Sequence, residues 1–155
     1  ITGLSSTYDT YMIVLADIVP ATDGAEGWIR FGDSSGIDSG ASDYEYHTTK
    51  LEAGDATYSA TTTTGDTHIE ICPSGIGTAT GEAFGGVYFL HRPGDGSMWP
   101  TITGTGSGIA VNANTRLNIC GGARKAVITL DRVQFLHHTG NIASGRMTVF
   151  GVAHA

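Results

Sequence analysis

Thr7-Tyr8-Asp9-Thr10-Tyr11-Met12-Ile13-Val14-Leu15-Ala16-Asp17-Ile18-Val19-Pro20-Ala21-Thr22-Asp23-Gly24-Ala25-Glu26-Gly27-Trp28-Ile29-Arg30 reads as strand, turn, strand. The apolar run stops at Pro20, and Asp23-Gly24 is a turn signal because glycine tolerates the positive φ that tight hairpin turns need. Side chains alternate across a strand, so Ile13, Leu15 and Val19 fall on one face and Met12, Val14 and Ile18 on the other. A strand apolar on both faces cannot leave one of them in water, so it is expected centrally or against another subunit. The segments long enough to cover it, Gly32–Ser42 and Ala53–Gly65, are rich in Ser, Thr and Gly and offer little apolar area. Met12, Val14 and Ile18 are therefore the candidate subunit-interface residues, with another copy of the chain as the expected cover.

Outward from that stretch, strand signals and turn signals alternate to the end of the chain. Gly32–Ser42 is loop by composition, and Asp43–His47 alternates aromatic with polar, a half-buried strand. Glu52–Gly65 reads as a ragged edge strand or a loop, and Thr67–Ile71 as a strand with Ile69 and Ile71 inward. Gly85–His91 is a central strand, ended by the Arg92–Gly96 turn. Met98–Thr103, with Pro100, reads as a short edge strand, and Gly104–Gly108 as a flexible connector rather than a nucleotide loop, since no Walker lysine is present. Ala110–Cys120 carries a further strand. In Ala126–Leu136 the apolar phase switches, which predicts a bulge near Asp131-Arg132. Arg146–Ala153 is the last strand. No stretch shows a sustained helical period, so residues 1–155 are predicted to form a single all-β domain, a two-sheet antiparallel sandwich of jelly-roll-like type with about nine strands.

Composition narrows the function classes. Eight Lys and Arg stand against 15 Asp and Glu, a formal net charge of -7, so no basic footprint for nucleic acid is expected. Nothing approaches the roughly 18 consecutive apolar residues of a membrane-spanning helix, and no membrane insertion is expected. The chain starts at Ile1 with neither Met nor a signal-peptide pattern, which predicts an upstream strand or longer region. Cys72 and Cys120 are too few for a disulfide framework and lack zinc-site spacing. Two reduced, part-buried thiols are the expectation, with one bridge as the alternative if their Cα atoms lie close.

Residues that suggest chemistry mostly have a plainer explanation. Gly32-Asp33-Ser34-Ser35-Gly36 looks like a serine-protease loop, but that arrangement needs a His well upstream of the Ser, and the first His is His47. Asp33, Ser35 and Asp38 offer oxygens without the spacing of a calcium loop. Of six histidines, His137 and His138 are adjacent and point to opposite faces of a strand, so they cannot share one ion. A single His meeting its copies on a three-fold axis is the remaining metal arrangement, and context makes His91 and His137 the least exposed of the set, which also includes His47, His68 and His154. Trp28 reads as core and Trp99 as the more exposed indole. The turn from Arg92 to Trp99 combines charge, glycine and a bulky aromatic, which makes Arg92, Asp95, Met98 and Trp99 the candidate binding residues. No catalytic residue, resident metal or cofactor is assigned. Carboxylates such as Glu26, Glu45, Glu70 and Glu82 cannot be paired into a glycosidase site from sequence.

Three segments carry a family resemblance: Gly3–Gly24 (GLSSTYDTYMIVLADIVPATDG), Ile29–His47 (IRFGDSSGIDSGASDYEYH) and Ser144–Ala153 (SGRMTVFGVA). Together they resemble the C-terminal β-domain of tailed-bacteriophage tail-fibre and virion structural proteins, with a Ser-Thr-Tyr-Asp corner, a strand closing on a Pro-Ala-Thr-Asp-Gly turn, and a Ser-Gly-Arg strand ending the chain. The resemblance implies a virion protein, homotrimeric, in a tail fibre, spike or similar appendage, forming a rigid unit that presents loops for host attachment. Its implied partners are other copies of itself, other virion proteins and a host surface glycan or protein. A capsid-decorating or head-fibre protein is the alternative within virions. Outside them the rivals are a secreted carbohydrate-binding module and an appendage-borne glycan hydrolase.

Overall fold

The computed structural model describes residues 1–55 and 58–153. His154 lies outside the described residues, as do positions 56–57 of the Glu52–Gly65 segment. Among the described residues eleven strands are present and no helix: β1 Thr10–Pro20, β2 Ala25–Asp33, β3 Gly36–Ile37, β4 Tyr44–Glu52, β5 Ser59–Asp66, β6 Ile69–Ile76, β7 Phe84–His91, β8 Thr101–Ile109, β9 Thr115–Arg124, β10 Arg132–His137 and β11 Ile142–Val152. A seven-stranded sheet runs β11-β1-β7-β8-β9-β4-β5; a four-stranded sheet runs β10-β2-β3, with β6 also paired to β2. Every pairing is antiparallel, and the two sheets enclose one core, an all-β sandwich. Ile13, Leu15, Tyr88, Leu90 and Ile102 of the large sheet meet Ile29, Phe31, Ile69, Ile71 and Val133 of the small one.

Two tyrosines fasten the crossovers. Tyr11 Oη accepts from the Ser5 amide at 2.7 Å and donates to the Ser5 carbonyl at 3.0 Å, which ties the Ser-Thr-Tyr-Asp corner to β1. Tyr44 is fully buried, its hydroxyl taking the Phe31 amide at 2.8 Å and lying 3.0 Å from the Phe31 and Asp38 carbonyls. Arg124 sits over the Tyr44 ring and binds Asp38 at 2.8 Å, so the crossing from β3 to β4 is anchored to β9. Buried polar groups hold their cost down only when paired in this way.

β1 departs from simple alternation. Asp17 takes φ 54°, and the register shifts beside it against both β7 and β11. One extra residue is inserted, the phase flips, and Ile18 turns inward to 2% exposure while Asp17 faces solvent. Ile18 is thus a core residue and not an interface candidate, and Val19 is only half-buried. Opposite the bulge, Gly145 adopts φ 126°, and a Cβ there would lie 2.7 Å from Ile18 Cδ1 and 2.8 Å from the Asp17 carbonyl oxygen. Gly145→Val combines that overlap with a left-handed backbone, and is expected to destabilise the fold by about 1–3 kcal/mol or more. Urea midpoints at constant m-value measure it; an unchanged midpoint would show that the bulge is not fixed by this contact.

Other expectations change in the structure. Gly104–Gly108 is not a flexible connector but part of β8, because its inward positions make room for rings. A Cβ at Gly104 would meet Tyr88 Cδ1 at 2.5 Å, and one at Gly106 would meet Phe84 Cζ at 2.5 Å. Gly32–Ser42 is not wholly loop, since β2 continues to Asp33 and pairs with β3. The phase switch in Ala126–Leu136 is not a bulge: the strand begins only at Arg132, and Ile128 and Leu130 precede it. Trp28 is half-buried on the outer face of the small sheet rather than in the core. Cys72 and Cys120 are both buried and free, and burial raises the thiols to about 12 and about 11.

Candidate functional site: the outer face of the large sheet

The core covers one side of the seven-stranded sheet, and the register fixes what the other side presents. One cross-strand row reads Phe150, Met12, Phe89, Thr103, Gly121, His47, Thr62. The next reads Thr148, Val14, Val87, Thr105, Ile119, Thr49, Ala60. Neither row contains Lys, Arg, Asp or Glu. On β11, β1 and β7 these two rows are apolar apart from Thr148: Phe150, Phe89 and Val87 are exposed, with Met12 and Val14 half-buried between them, and Arg146, Thr10 and His91 bound them on the same face. On β8, β9, β4 and β5 it is dominated by hydroxyls, apart from Leu117, Ile119 and Leu51. Adjacent side chains on neighbouring strands stand about 4.5–5.5 Å apart, so Phe150, Met12, Phe89, Val14 and Val87 form one patch, which Thr103 and Thr105 of β8 bound.

A shallow groove of about 600 Å³ crosses the hydroxyl half. Gly121, Gly122 and Ala123 of β9 form its floor; Thr101 and Thr103 of β8 stand on one side, with Glu45 and His47 of β4 and Thr62–Thr64 of β5 on the other. His47 Nε2 is 3.0 Å from Thr49 Oγ1, and His91 Nε2 is 3.1 Å from Thr103 Oγ1. Nothing in the local alternation announces this groove; Gly121 is its only sequence trace, and it reads as an ordinary strand glycine.

The loop after β7 places the remaining candidates. Arg92 takes φ 50° and its Nη2 binds Asp95 Oδ2 at 2.8 Å. Asp95 Oδ1 also accepts from the Ser97 amide at 2.9 Å and the Ser97 hydroxyl at 2.5 Å. These bonds and the Arg92 partner hold its carboxyl below the usual range. Met98 and Trp99 stand exposed beyond this turn, at 51% and 45%. A second cleft, about 360 Å³, lies between the turn and Ser6, Tyr8 and Asp9. Arg92 and Asp95 line it; Met98 and Trp99 do not. The structure therefore divides the four candidates between a charged cleft and an exposed apolar tip.

The small sheet's outer face carries an ionisable cluster that sequence reading missed. His68 stacks on Trp28 with centroids 3.6 Å apart and 14° between planes, and His68 Nδ1 lies 3.0 Å from Asp66 Oδ1. Glu70 is buried and shares a hydrogen bond with Glu26; desolvation first, then the Glu26 charge, raises its carboxyl to about 7. Desolvation lowers His68. The two glutamates touch each other rather than facing across a gap, and neither lines the 600 Å³ groove. Of the histidines singled out by context, His137 is buried and His91 half-buried, while His68 is buried without a warning in its sequence neighbourhood. Asp33 Oδ1 is occupied by Ser35 and Asp38 by Arg124, so the polar loop does not gather its oxygens on one point. Among the described residues no three His, Cys, Asp or Glu side chains converge as metal ligands. Compared with protein-family models, with curated proteins and with solved structures, the chain has no match.

Proposed function

We propose that the chain is a non-catalytic structural domain of a tailed-bacteriophage virion, part of a tail fibre, spike or similar appendage, which assembles as a homotrimer and presents loops for host attachment. The observation that carries this reading is the uncovered apolar patch of Met12, Val14, Val87, Phe89 and Phe150. Contiguous apolar surface on a sheet face is what association buries. Another copy is the favoured cover because the two rows carry no formal charge, so burying them against an identical face desolvates no ion and opposes no like charges there. Other virion proteins would meet the copies at the Arg92–Trp99 loop, where Met98 and Trp99 offer apolar anchors beside a charged cleft.

Native mass spectrometry and light scattering test it. The expected mass at micromolar concentration is that of a trimer, and Val14→Lys together with Phe89→Lys gives a monomer with unchanged circular dichroism. A wild-type monomer at that concentration would sink the assembly, and with it the virion reading in this form.

A further inference from the structure

We propose that the groove over Gly121 is a binding site for a neutral saccharide, a step that rests on the reading of this domain as an attachment module. The groove's volume, about 600 Å³, falls within the roughly 300–1,000 Å³ usual for small-ligand sites. It is not a by-product of folding. Most strand glycines of the large sheet are required, as at Gly104 and Gly106, where a Cβ would collide with aromatic rings. Gly121 has an ordinary φ, and nothing lies within 4 Å of where its Cβ would be. A glycine inside a strand loses more conformational freedom on folding than a residue with a side chain, so the fold alone would do better with one here. The missing side chain leaves the groove open between Thr103 and His47.

The walls select the ligand. Thr101, Thr103 and Thr62 bring hydroxyls, His47 an imidazole and Glu45 a carboxylate, an array of donors and acceptors across neighbouring strands. Among the described residues no Lys or Arg side chain lines the groove; the nearest ammonium, Lys125 Nζ, is held by the Thr64 carbonyl at its rim, and Glu45 opposes an anion, so phosphates and acidic sugars are disfavoured. The floor lies on a sheet face, where backbone groups are already paired, so a peptide cannot add as a strand. A pyranose chair satisfies both features: its axial C–H face rests on glycine backbone and its equatorial hydroxyls reach the rim.

The test is titration of the ¹⁵N-labelled domain with chitotriose, mannotriose and trigalacturonate, followed by amide shifts. The expected result is saturable movement of the His47, Thr103, Gly121 and Gly122 signals with at least one neutral trisaccharide and not with the anionic one. Gly121→Val fills the groove and is expected to weaken that binding by about tenfold or more while the melting temperature stays equal or rises. Thr103→Val, which removes only a hydroxyl, weakens it by about threefold to tenfold and covers the case in which the first variant fails to fold. No localised shift at about 10 mM of either neutral sugar would overturn the proposal, as would equal binding of trigalacturonate or an affinity untouched by both variants. Mass measured on the same samples separates the two readings: a monomer that binds sugar overturns the trimeric virion reading and leaves the groove standing, and a trimer that does not bind it overturns the groove alone.

Discussion

Arg116→Ala is expected to destabilise the domain by about 3–5 kcal/mol, the usual cost of removing one partner from a buried ion pair. Arg116 points inward from β9 and is 6% exposed. Its Nε donates to Glu52 Oε2 at 2.8 Å, and its Nη1 donates to the Gly75 carbonyl at 2.9 Å and to the Ser74 carbonyl. Glu52 belongs to β4 and Ser74-Gly75 to β6, so this guanidinium clamps the large sheet to the small one. Asn112 and Asn114 add hydrogen bonds to Glu52 Oε1 at 2.6 and 3.1 Å. The Asn112 bond, then those from Arg116 and Asn114, lower the Glu52 carboxyl from 4.5 to about 2. A carboxylate depressed in the folded state stabilises above its unfolded pKa, and that contribution is lost as pH falls through about 2. Urea unfolding at neutral pH measures the Arg116→Ala loss, which corresponds to a melting-temperature drop on the order of 10 °C for a domain of this size. A loss below about 1 kcal/mol would show that water replaces the guanidinium at no cost and that the clamp is not structural.

Glu70→Gln is expected to act through pH. The Glu70 carboxyl rises from 4.5 to about 7 on folding, so between those values the native state holds a proton that the unfolded chain releases. Stability from this group is therefore fully present below about 4.5 and is lost as pH rises through about 7. Glutamine keeps an uncharged group of the same shape and removes the loss. Relative to wild type, Glu70→Gln gains stability progressively as pH rises from 4.5 towards 7 and levels off above. His68 works in the opposite direction: its folded pKa is lowered, so its contribution is present above the unfolded value near 6.5 and fades as pH falls. The difference between variant and wild type cancels much of that and isolates Glu70. A flat difference across the range would mean that the Glu26–Glu70 pair is ionised at no cost, with water reaching both carboxylates.

The sequence alone determined that this is an all-β sandwich and where most strands lie, because that information is local. Asp43–His47 alternates, and Tyr44 and Tyr46 are buried; Thr67–Ile71 alternates, and Ile69 and Ile71 are fully buried. The Asp23-Gly24 and Arg92–Gly96 turns are legible for the same reason, since a turn is a property of a few consecutive residues. Tertiary structure decided the rest. Ile18 joins the core because Asp17 bulges opposite Gly145, a residue more than a hundred positions later in the chain. Gly104 and Gly106 are strand rather than loop because Tyr88 and Phe84 on the neighbouring strand need the space; glycine spells both outcomes identically. Glu26 and Glu70 become a proton-sharing pair only when β6 pairs with β2. The groove over Gly121 depends on four strands lying side by side, and no alternation within any one of them encodes it. Periodicity reports which way a side chain points along its own strand; what it meets there is set by register between strands, and register is a property of the assembled sheets.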